Sequence, residues 1–243
     1  KLIFSDAQQK QENQISAMRA CIQQGVSVIA LPPVVETGWD AVLQEAKDAN
    51  IAVIVVDRSV TADPSMYASH IGSDMVIEGK RSAAEFNKML PNGGNILELS
   101  GTTGSGAAVG RAKGFREKMG DCGITITDTQ TGNWGVSESK AVMEAFLKKS
   151  TDIQGVFAHN DEEAIGAIQA ITEAGLKPGV DIKVLGLDAT ADGFKYLISG
   201  ELNADVECNP LLAPQVYEAA LKALNGDTTV PTWVPSQEGE FFA

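Results

Sequence analysis

The sequence predicts an α/β fold in which parallel sheets carry helices on both faces. Short apolar segments alternate with longer amphipathic segments along the whole chain. Strands joined through helices pair in parallel, and strands that are apolar at every position are buried on both faces. About nine strands are predicted, which is more than one small open sheet usually holds, so we expect two sheets.

The predicted elements follow in order along the chain. The first helix starts near Lys10 and places Ile15, Met18 and Ile22 on one face, and Gly25 favours its end. Further helices are predicted at residues 38–50, 75–90, 107–119, 137–149, 161–174, 191–199 and 210–224. Strands are predicted at residues 26–30, 51–56, 67–71, 95–99, 124–127, 155–158, 182–187 and 202–207. No low-complexity linker interrupts this series, so a single flexible tether between two lobes is not expected.

Composition narrows the possible partners. The chain has 243 residues and a formal net charge of −13. Such an acidic chain is unsuited to nucleic acid, which needs a basic face, and to anionic lipid. No apolar run approaches the roughly 18 residues of a membrane helix, so no membrane insertion is expected. Its cysteines, Cys21, Cys122 and Cys208, show no metal-binding or redox spacing, and their disulfide state stays open.

Polar residues follow several predicted strands at the same edge of the fold. Ligands of open α/β sheets bind at the carboxyl ends of the strands. Asp57 and Arg58 follow one strand, Arg111 follows a glycine-rich turn, and Asn160 and Asp188 follow two others. These donors and acceptors suit a polyhydroxylated ligand, whose buried hydroxyls must all be paired. For each residue a structural role remains an alternative, such as an ion pair or a helix cap.

Trp134 lies in a second kind of candidate segment, the glycine loop 132–135 ahead of a helix. Its ring could pack against the C–H face of a sugar or could belong to the core. The glycine-rich segment 100–111 lacks the ending of a nucleotide-binding P-loop, and the run 159–163 is a weak metal signal because consecutive side chains point apart. We therefore expect neither a cofactor nor a metal.

The chain resembles the type I periplasmic binding proteins, the ribose- and galactose-binding group that serves ABC transporters. The stretches that carry the resemblance cover nearly the whole chain: residues 7–15, 32–39, 56–58, 71–74, 110–115, 142–146, 158–161, 164–171 and 186–188. Within these stretches, residues 8–15, 33–39 and 158–161 are most similar to the galactofuranose-binding members. The resemblance implies two Rossmann-like lobes joined by three crossings, with residues 1–98 and 209–234 in the first lobe and residues 99–208 and 235–243 in the second.

The resemblance also implies roles for the candidate residues. Asp57 and Arg58 would hydrogen-bond a monosaccharide from the first lobe, and Arg111, Asn160 and Asp188 from the second. Trp134 stands where relatives carry a phenylalanine against the sugar ring. The partners would be a monosaccharide and an ABC transporter permease, the protein a monomer, and its location the periplasm, or an extracytoplasmic lipid anchor in a Gram-positive source.

The same resemblance raises an expectation about the start of the chain. Relatives have a strand and a helix ahead of the position that matches Lys1, and residues 1–4 match their second strand. A protein made only of these residues is therefore expected to be unstable or to bind sugar more weakly.

Two other functions remain as alternatives. One is the sugar-sensing domain of a transcription regulator with the same fold, which would need a DNA-binding segment. The other is a sugar hydrolase that uses Asp57 and Asp188 as paired carboxylates. Each of these carboxylates already has a hydrogen-bonding role, so we expect binding without turnover. Alanine at Arg58 or Arg111 is expected to weaken binding and to leave the fold largely intact.

Overall fold

The computed structural model describes residues 1–120, 123–227 and 229–243, and they form two compact units. The first unit contains Lys1–Ser73, Gly104–Gly106 and Pro210–Ser236. The second contains Asp74–Thr103, Ala107–Asn209 and Gln237–Ala243. Apart from the short excursion at Gly104–Gly106, the chain passes between the units three times.

Helices and strands alternate through most of the described chain. The helices are α1 (Gln11–Gln23), α2 (Asp40–Asp48), α3 (Met75–Met89), α4 (Gly106–Met119), α5 (Val136–Lys149), α6 (Asp161–Glu173), α7 (Ala191–Ser199) and α8 (Ala213–Leu224), with a short 3-10 helix at Pro64–Met66. The strands are β1 (Val28–Leu31), β2 (Ala52–Val56), β3 (Ser69–Gly72), β4 (Gly94–Ser100), β5 (Ile124–Thr131), β6 (Gly155–Ala158), β7 (Lys183–Asp188), β8 (Ala204–Glu207), β9 (Trp233–Pro235) and β10 (Glu240–Phe242). Among the described residues, no helix is both long and apolar enough to cross a membrane.

The first unit is built on a four-stranded parallel sheet in the order β1-β2-β3-β9. Successive side chains of β2 serve opposite faces, as the pleat of a strand requires. Val53 packs into a core with Trp39 and Leu43, which belong to the α2 side. Ile54 packs into a separate core with Ala219 of α8.

The second unit is built on a six-stranded sheet in the order β10-β8-β7-β6-β4-β5. All pairs are parallel except the edge pair of β10 with β8. Val156 of β6 packs with Met143 and Ile168, from α5 and α6, whereas Phe157 packs with Phe115 on the α4 side. Each sheet therefore has helices on both faces, which confirms the predicted α/β class.

The unit boundaries differ from the predicted ones in the first half of the chain. The sequence assigns residues 74–98 to the first lobe, but in the structure they belong to the second unit. The physical reason is strand pairing, because β4 lies between β5 and β6 in the six-stranded sheet. Helix α3 belongs to the same unit as β4, since Phe86 of α3 packs with Ile96 of β4 in one core.

Three segments near the chain ends differ from the predicted elements. Residues 1–4 form no strand, and Leu2 and Phe4 are exposed, although the resemblance predicts a strand there. Strands β9 and β10 do not follow from the strand–helix alternation. Each has three residues, and each pairs with a strand distant in sequence, β3 or β8.

Candidate functional site

Asp57 and Arg58 lie immediately after β2 in the first unit, as predicted. Asp57 has a positive φ of 64°, a left-handed conformation that costs a non-glycine residue free energy. Its backbone is held on both sides: the N–H donates to the carbonyl oxygen of Ile71 at 2.8 Å, and its own carbonyl oxygen accepts from Nε2 of His70 at 2.8 Å. Nε of Arg58 lies 3.7 Å from Oδ2 of Asp57. The strand end therefore presents a carboxylate and a guanidinium side by side.

His70 positions Asp57, and it was not a candidate from the sequence because it lies within the predicted strand at residues 67–71 and not directly after a strand. Its ring stacks on Trp233 at a centroid distance of 6.3 Å and an interplanar angle of 9°. Burial lowers the pKa of His70, although the contact with the Asp57 carbonyl oxygen opposes this. The neutral ring donates one hydrogen bond, which fixes the strained residue that carries the candidate carboxylate.

Arg111 is the centre of the candidate site in the second unit. It lies on α4 and is only 3% exposed. Its Nε donates to Oε2 of Glu78 at 2.7 Å, one terminal nitrogen donates to the carbonyl oxygen of His159, and the other donates to Oδ1 of Asp188 at 3.2 Å. This guanidinium is fixed by three groups and has little rotational freedom.

Glu78 is the buried counter-charge of Arg111. It is fully buried on α3, and its Oε1 has no hydrogen-bond partner among the described residues. Burial raises the pKa of Glu78, whereas the charge of Arg111 acts to lower it. Sequence reasoning missed this residue because it occupies an inward position of an amphipathic helix, where an apolar side chain is expected.

Trp134 lies beside Arg111, and its loop is strained. Asn133 and Trp134 have φ values of 52° and 64°. The backbone N–H of Trp134 donates to Oε1 of buried Glu163 at 3.1 Å. The Arg111 guanidinium carbon lies 5.9 Å from the centroid of the indole ring. The ring also lies so close to Gly101 that a Cβ there would collide with it. Glycine at 101 and the carboxyl group of Glu163 therefore fix the ring beside Arg111.

Glu163 has an unusual protonation equilibrium. Burial raises its pKa to about 8, against the hydrogen bond from Trp134 and the charge of Arg111. Its Oε2 has no hydrogen-bond partner among the described residues. The neutral acid keeps its carbonyl oxygen free to accept from Trp134.

Asn160 is buried, and its side chain caps helix α6. Its Oδ1 accepts from the Glu163 N–H at 2.8 Å, and its Nδ2 donates to Oε2 of Glu162 at 2.8 Å. The structure thus gives Asn160 the capping role that such residues commonly have. Its predicted contact with a ligand remains a proposal.

Asp188, the last of the candidate residues, lies at the end of β7. Burial raises its pKa to about 7, although Arg111 opposes this shift. Its φ is 111°, and that of the next residue, Ala189, is 56°. Two consecutive non-glycine residues with positive φ make this turn one of the strained points of the backbone.

The structure brings Arg111, Trp134 and Asp188 together in the second unit and places Asp57 and Arg58 side by side in the first. Among the described residues, Glu78, Cys208 and Glu238 lie close enough together to hold a metal ion. None of residues 159–163 belongs to this group. Neither Cys21 nor Cys208 forms a disulfide bond among the described residues, and Cys122 lies outside them.

Comparison with known proteins identifies the family. Residues 1–228 match the model of the periplasmic binding protein domain, and the chain belongs to that family. It is 44% identical to the galactofuranose-binding protein YtfQ of Escherichia coli K12 over 237 residues, which cover 95% of this chain and 74% of that protein.

Solved structures show the same similarity. The periplasmic binding protein of the arabinose ABC transporter from Shewanella sp. ANA-3, bound to α- and β-L-arabinofuranose, has a TM-score of 0.95 and 42% identity, covering 98% of this chain and 80% of that one. A Mycobacterium smegmatis protein in complex with β-D-fucofuranose has a TM-score of 0.95 and 46% identity, covering 99% and 81%.

Proposed function

We propose that this protein binds a monosaccharide in its furanose form and delivers it to the permease of an ABC transporter. The observation that carries this proposal is the rigid group of Arg111, Trp134 and Asp188 in a chain 42% and 46% identical to two structures with bound furanoses. Galactofuranose is a specific candidate, because YtfQ is named for it.

The chemistry of the second unit supports a sugar ligand. A guanidinium donates to hydroxyl oxygens, a carboxylate accepts from hydroxyl protons, and an indole face covers apolar C–H groups. Arg111, Asp188 and Trp134 supply one of each. We propose that Asn160 contacts the sugar through an edge of its amide, while its cap fixes the orientation of the side chain.

The first unit supplies a second charged donor and acceptor. We propose that Asp57 and Arg58 bind hydroxyls of the same sugar. A ligand that makes better contacts in one conformation of a protein shifts the population to that conformation. Binding at both units would therefore select the form that the permease recognises.

We propose that the protein acts in the periplasm as a monomer without a cofactor, and that it is not an enzyme. The features that favour a hydrolase are the pKa of Asp188, about 7, and that of Glu163, about 8. One oxygen of each carboxyl is already engaged, since Oδ1 of Asp188 accepts from Arg111 and Oε1 of Glu163 accepts from the backbone N–H of Trp134. A role as the sensor domain of a regulator would need a partner that responds to sugar by binding DNA.

Ring-locked sugars test the proposal. 1,4-Anhydrogalactitol is fixed as a five-membered ring and 1,5-anhydrogalactitol as a six-membered ring, and neither has an anomeric hydroxyl. Titration calorimetry with both compounds, and with galactose, arabinose, fucose and ribose, should give micromolar or tighter binding of at least one free sugar, about −8 kcal/mol. Preference for the five-membered ring is expected. Binding of only the six-membered ring would refute the furanose assignment, and heat from amino acids or nucleotides alone would refute the sugar class.

A further inference from the structure

Two buried carboxyl groups lie behind the turn that carries Asp188. Asp161 is the first residue of α6 and Asp205 lies on β8, and both are fully buried. Asp205 was not a candidate from the sequence, because it lies within the predicted strand at residues 202–207 and not directly after it. A buried charge is costly unless it is paired, so the partners of these carboxyls decide what they do.

Each carboxyl uses one oxygen to hold the turn. Oδ1 of Asp205 accepts from the Ala189 N–H at 3.1 Å. Oδ2 of Asp161 accepts from both the N–H and the hydroxyl of Thr190, each at 2.7 Å. The hydroxyl oxygen of Thr190 in turn accepts from the Gly193 N–H at 3.0 Å and caps helix α7. Two consecutive backbone amides, those directly after Asp188, therefore end on the two carboxyls.

The remaining oxygen of each carboxyl has no hydrogen-bond donor. Oδ1 of Asp161 and Oδ2 of Asp205 accept from no donor among the described residues, and the contact between the two carboxyls affects the pKa of both. Ionised carboxylates only accept, so this contact needs a proton. One proton held by Asp205 and donated to Asp161 satisfies both oxygens.

The surroundings favour that proton. Burial, then the charge of Asp161, raises the pKa of Asp205 to about 9, and burial also raises the pKa of Asp161. Asp188 at the end of β7 and Glu162 on α6 add negative charge. Arg111 of α4 is bonded to Asp188 and Glu78. On α7, exposed Asp192 is paired with Lys195, and a Cβ at Gly193 would collide with the Asp161 carboxyl.

We propose that Asp161 and Asp205 share one proton and act as a positioning pair, which holds the strained turn at Asp188 and Ala189 in the conformation that binds the sugar. Neither residue touches the ligand. The effect on sugar binding rests on the proposed function above, whereas the shared proton is a property of the protein alone. The two parts are therefore tested separately.

The first test measures stability against pH without sugar. Asparagine at 205 can accept from Ala189 and donate to Asp161, so Asp205→Asn reproduces the protonated pair. The native pKa of about 9 lies above the ordinary value of aspartate, about 3.9. Between these values folded wild type holds one proton more than the unfolded chain, so its stability falls as pH rises and levels off above about 9.

Asp205→Asn lacks this proton. Its unfolding constant relative to that of wild type should fall by up to about tenfold per pH unit between pH 5 and 9, measured by urea unfolding. Asp192→Asn, an exposed substitution on α7, is the control and should show no such trend. The infrared band of a protonated carboxyl should also weaken in Asp205→Asn. A ratio independent of pH would overturn the shared proton.

The second test measures sugar affinity at pH 7. Asp205→Ala frees the Ala189 amide and should weaken binding at least tenfold, whereas Asp205→Asn should restore most of it. Wild-type affinity should fall above about pH 9 as the pair loses its proton, and that of Asp205→Asn should not. Equal affinity of wild type and Asp205→Ala would overturn the positioning role. Failure of wild type to bind any sugar would refute the proposed function and would leave the result of the pH test standing.

Discussion

Arg111 and Glu78 form an ion pair in which both side chains are almost completely buried, with Nε 2.7 Å from Oε2. The guanidinium that is proposed to meet the sugar is thus also a buried cation that compensates the charge of a buried carboxylate. This pairing changes the expectation that alanine at Arg111 would spare the fold. Removing one partner of a buried pair leaves an uncompensated charge.

We predict that Arg111→Ala lowers both sugar affinity and stability, the latter by about 3–5 kcal/mol. The double variant Arg111→Met, Glu78→Leu replaces the pair with apolar groups, which often restores stability. It should recover the denaturation midpoint without recovering sugar binding in calorimetry. Wild-type affinity in the double variant would show that Arg111 is not a sugar contact.

Arg58→Ala should give a different result. Its side chain is 21% exposed and lies 3.7 Å from Asp57, so its loss leaves no fully buried charge. We expect sugar affinity to fall by about 1.5–3 kcal/mol for a lost charged hydrogen bond, with little change in the melting temperature. Arg19→Ala, which removes an exposed ion pair with Glu45 in the same unit, is the control and should bind normally. Equal affinity of the two variants would contradict the role of Arg58.

These two arginines show what the sequence could and could not predict. Both follow from their place after apolar strands, because ligands bind at the carboxyl ends of parallel strands. Glu78, His70 and Asp205 lie inside predicted helices or strands and not at the strand ends where ligand contacts are sought. The spacing of residues does not show that a polar side chain inside such an element is buried and positions a neighbour. Only the hydrogen bonds in the structure give these residues a role.

The fold was predictable to a similar depth. The alternation of apolar and amphipathic segments gave the class and the type of the longer elements, from α1 to α8. It could not assign β4 to its sheet, because pairing between strands is not written in the periodicity of one strand. It also missed β9 and β10, which are too short for a pattern and pair with strands far away in sequence.

His70 should affect sugar binding through Asp57. We expect His70→Ala to weaken binding, because the Asp57 carbonyl oxygen loses its donor, and His70→Gln to restore part of the affinity. Burial lowers the pKa of His70 below its ordinary value of about 6.5. Its contribution to stability is therefore present above that value and is lost as pH falls through the native pKa.

The pH dependence can be isolated because the chain has only two histidines. His159 is retained in both wild type and His70→Gln, so its titration cancels in the comparison. The stability advantage of wild type over His70→Gln should shrink as pH falls from 7 to 5 in urea unfolding. An advantage that grows towards acid pH would contradict a neutral, buried His70.

Gly101 should be as important to the site as the tryptophan that it faces. A Cβ at 101 would collide with the indole of Trp134, so Gly101→Ala should displace the ring from Arg111. We expect the affinity of Gly101→Ala to fall about as far as that of Trp134→Ala, roughly tenfold or more. Gly239→Ala, where the nearest atom to a Cβ is 3.5 Å away, should bind as wild type does. Tryptophan fluorescence should shift in Gly101→Ala and should not shift in Gly239→Ala.

The proposal that the protein is not an enzyme makes a direct prediction. A retaining or inverting hydrolase needs one carboxyl that donates a proton and a second carboxylate that acts as nucleophile or base. Asp188 has a pKa of about 7 even with the lowering effect of Arg111, and its Oδ1 is already engaged as the acceptor of the Arg111 guanidinium. Asp57 is fixed by the hydrogen bonds of its backbone and lies beside Arg58.

We therefore expect a bound furanose or its methyl glycoside to be recovered unchanged by NMR and mass spectrometry after prolonged incubation at pH 5, 7 and 9. Asp188→Asn should lower affinity and leave this result the same. Release of methanol from the glycoside by wild type, absent in Asp188→Asn, would show that Asp188 is catalytic.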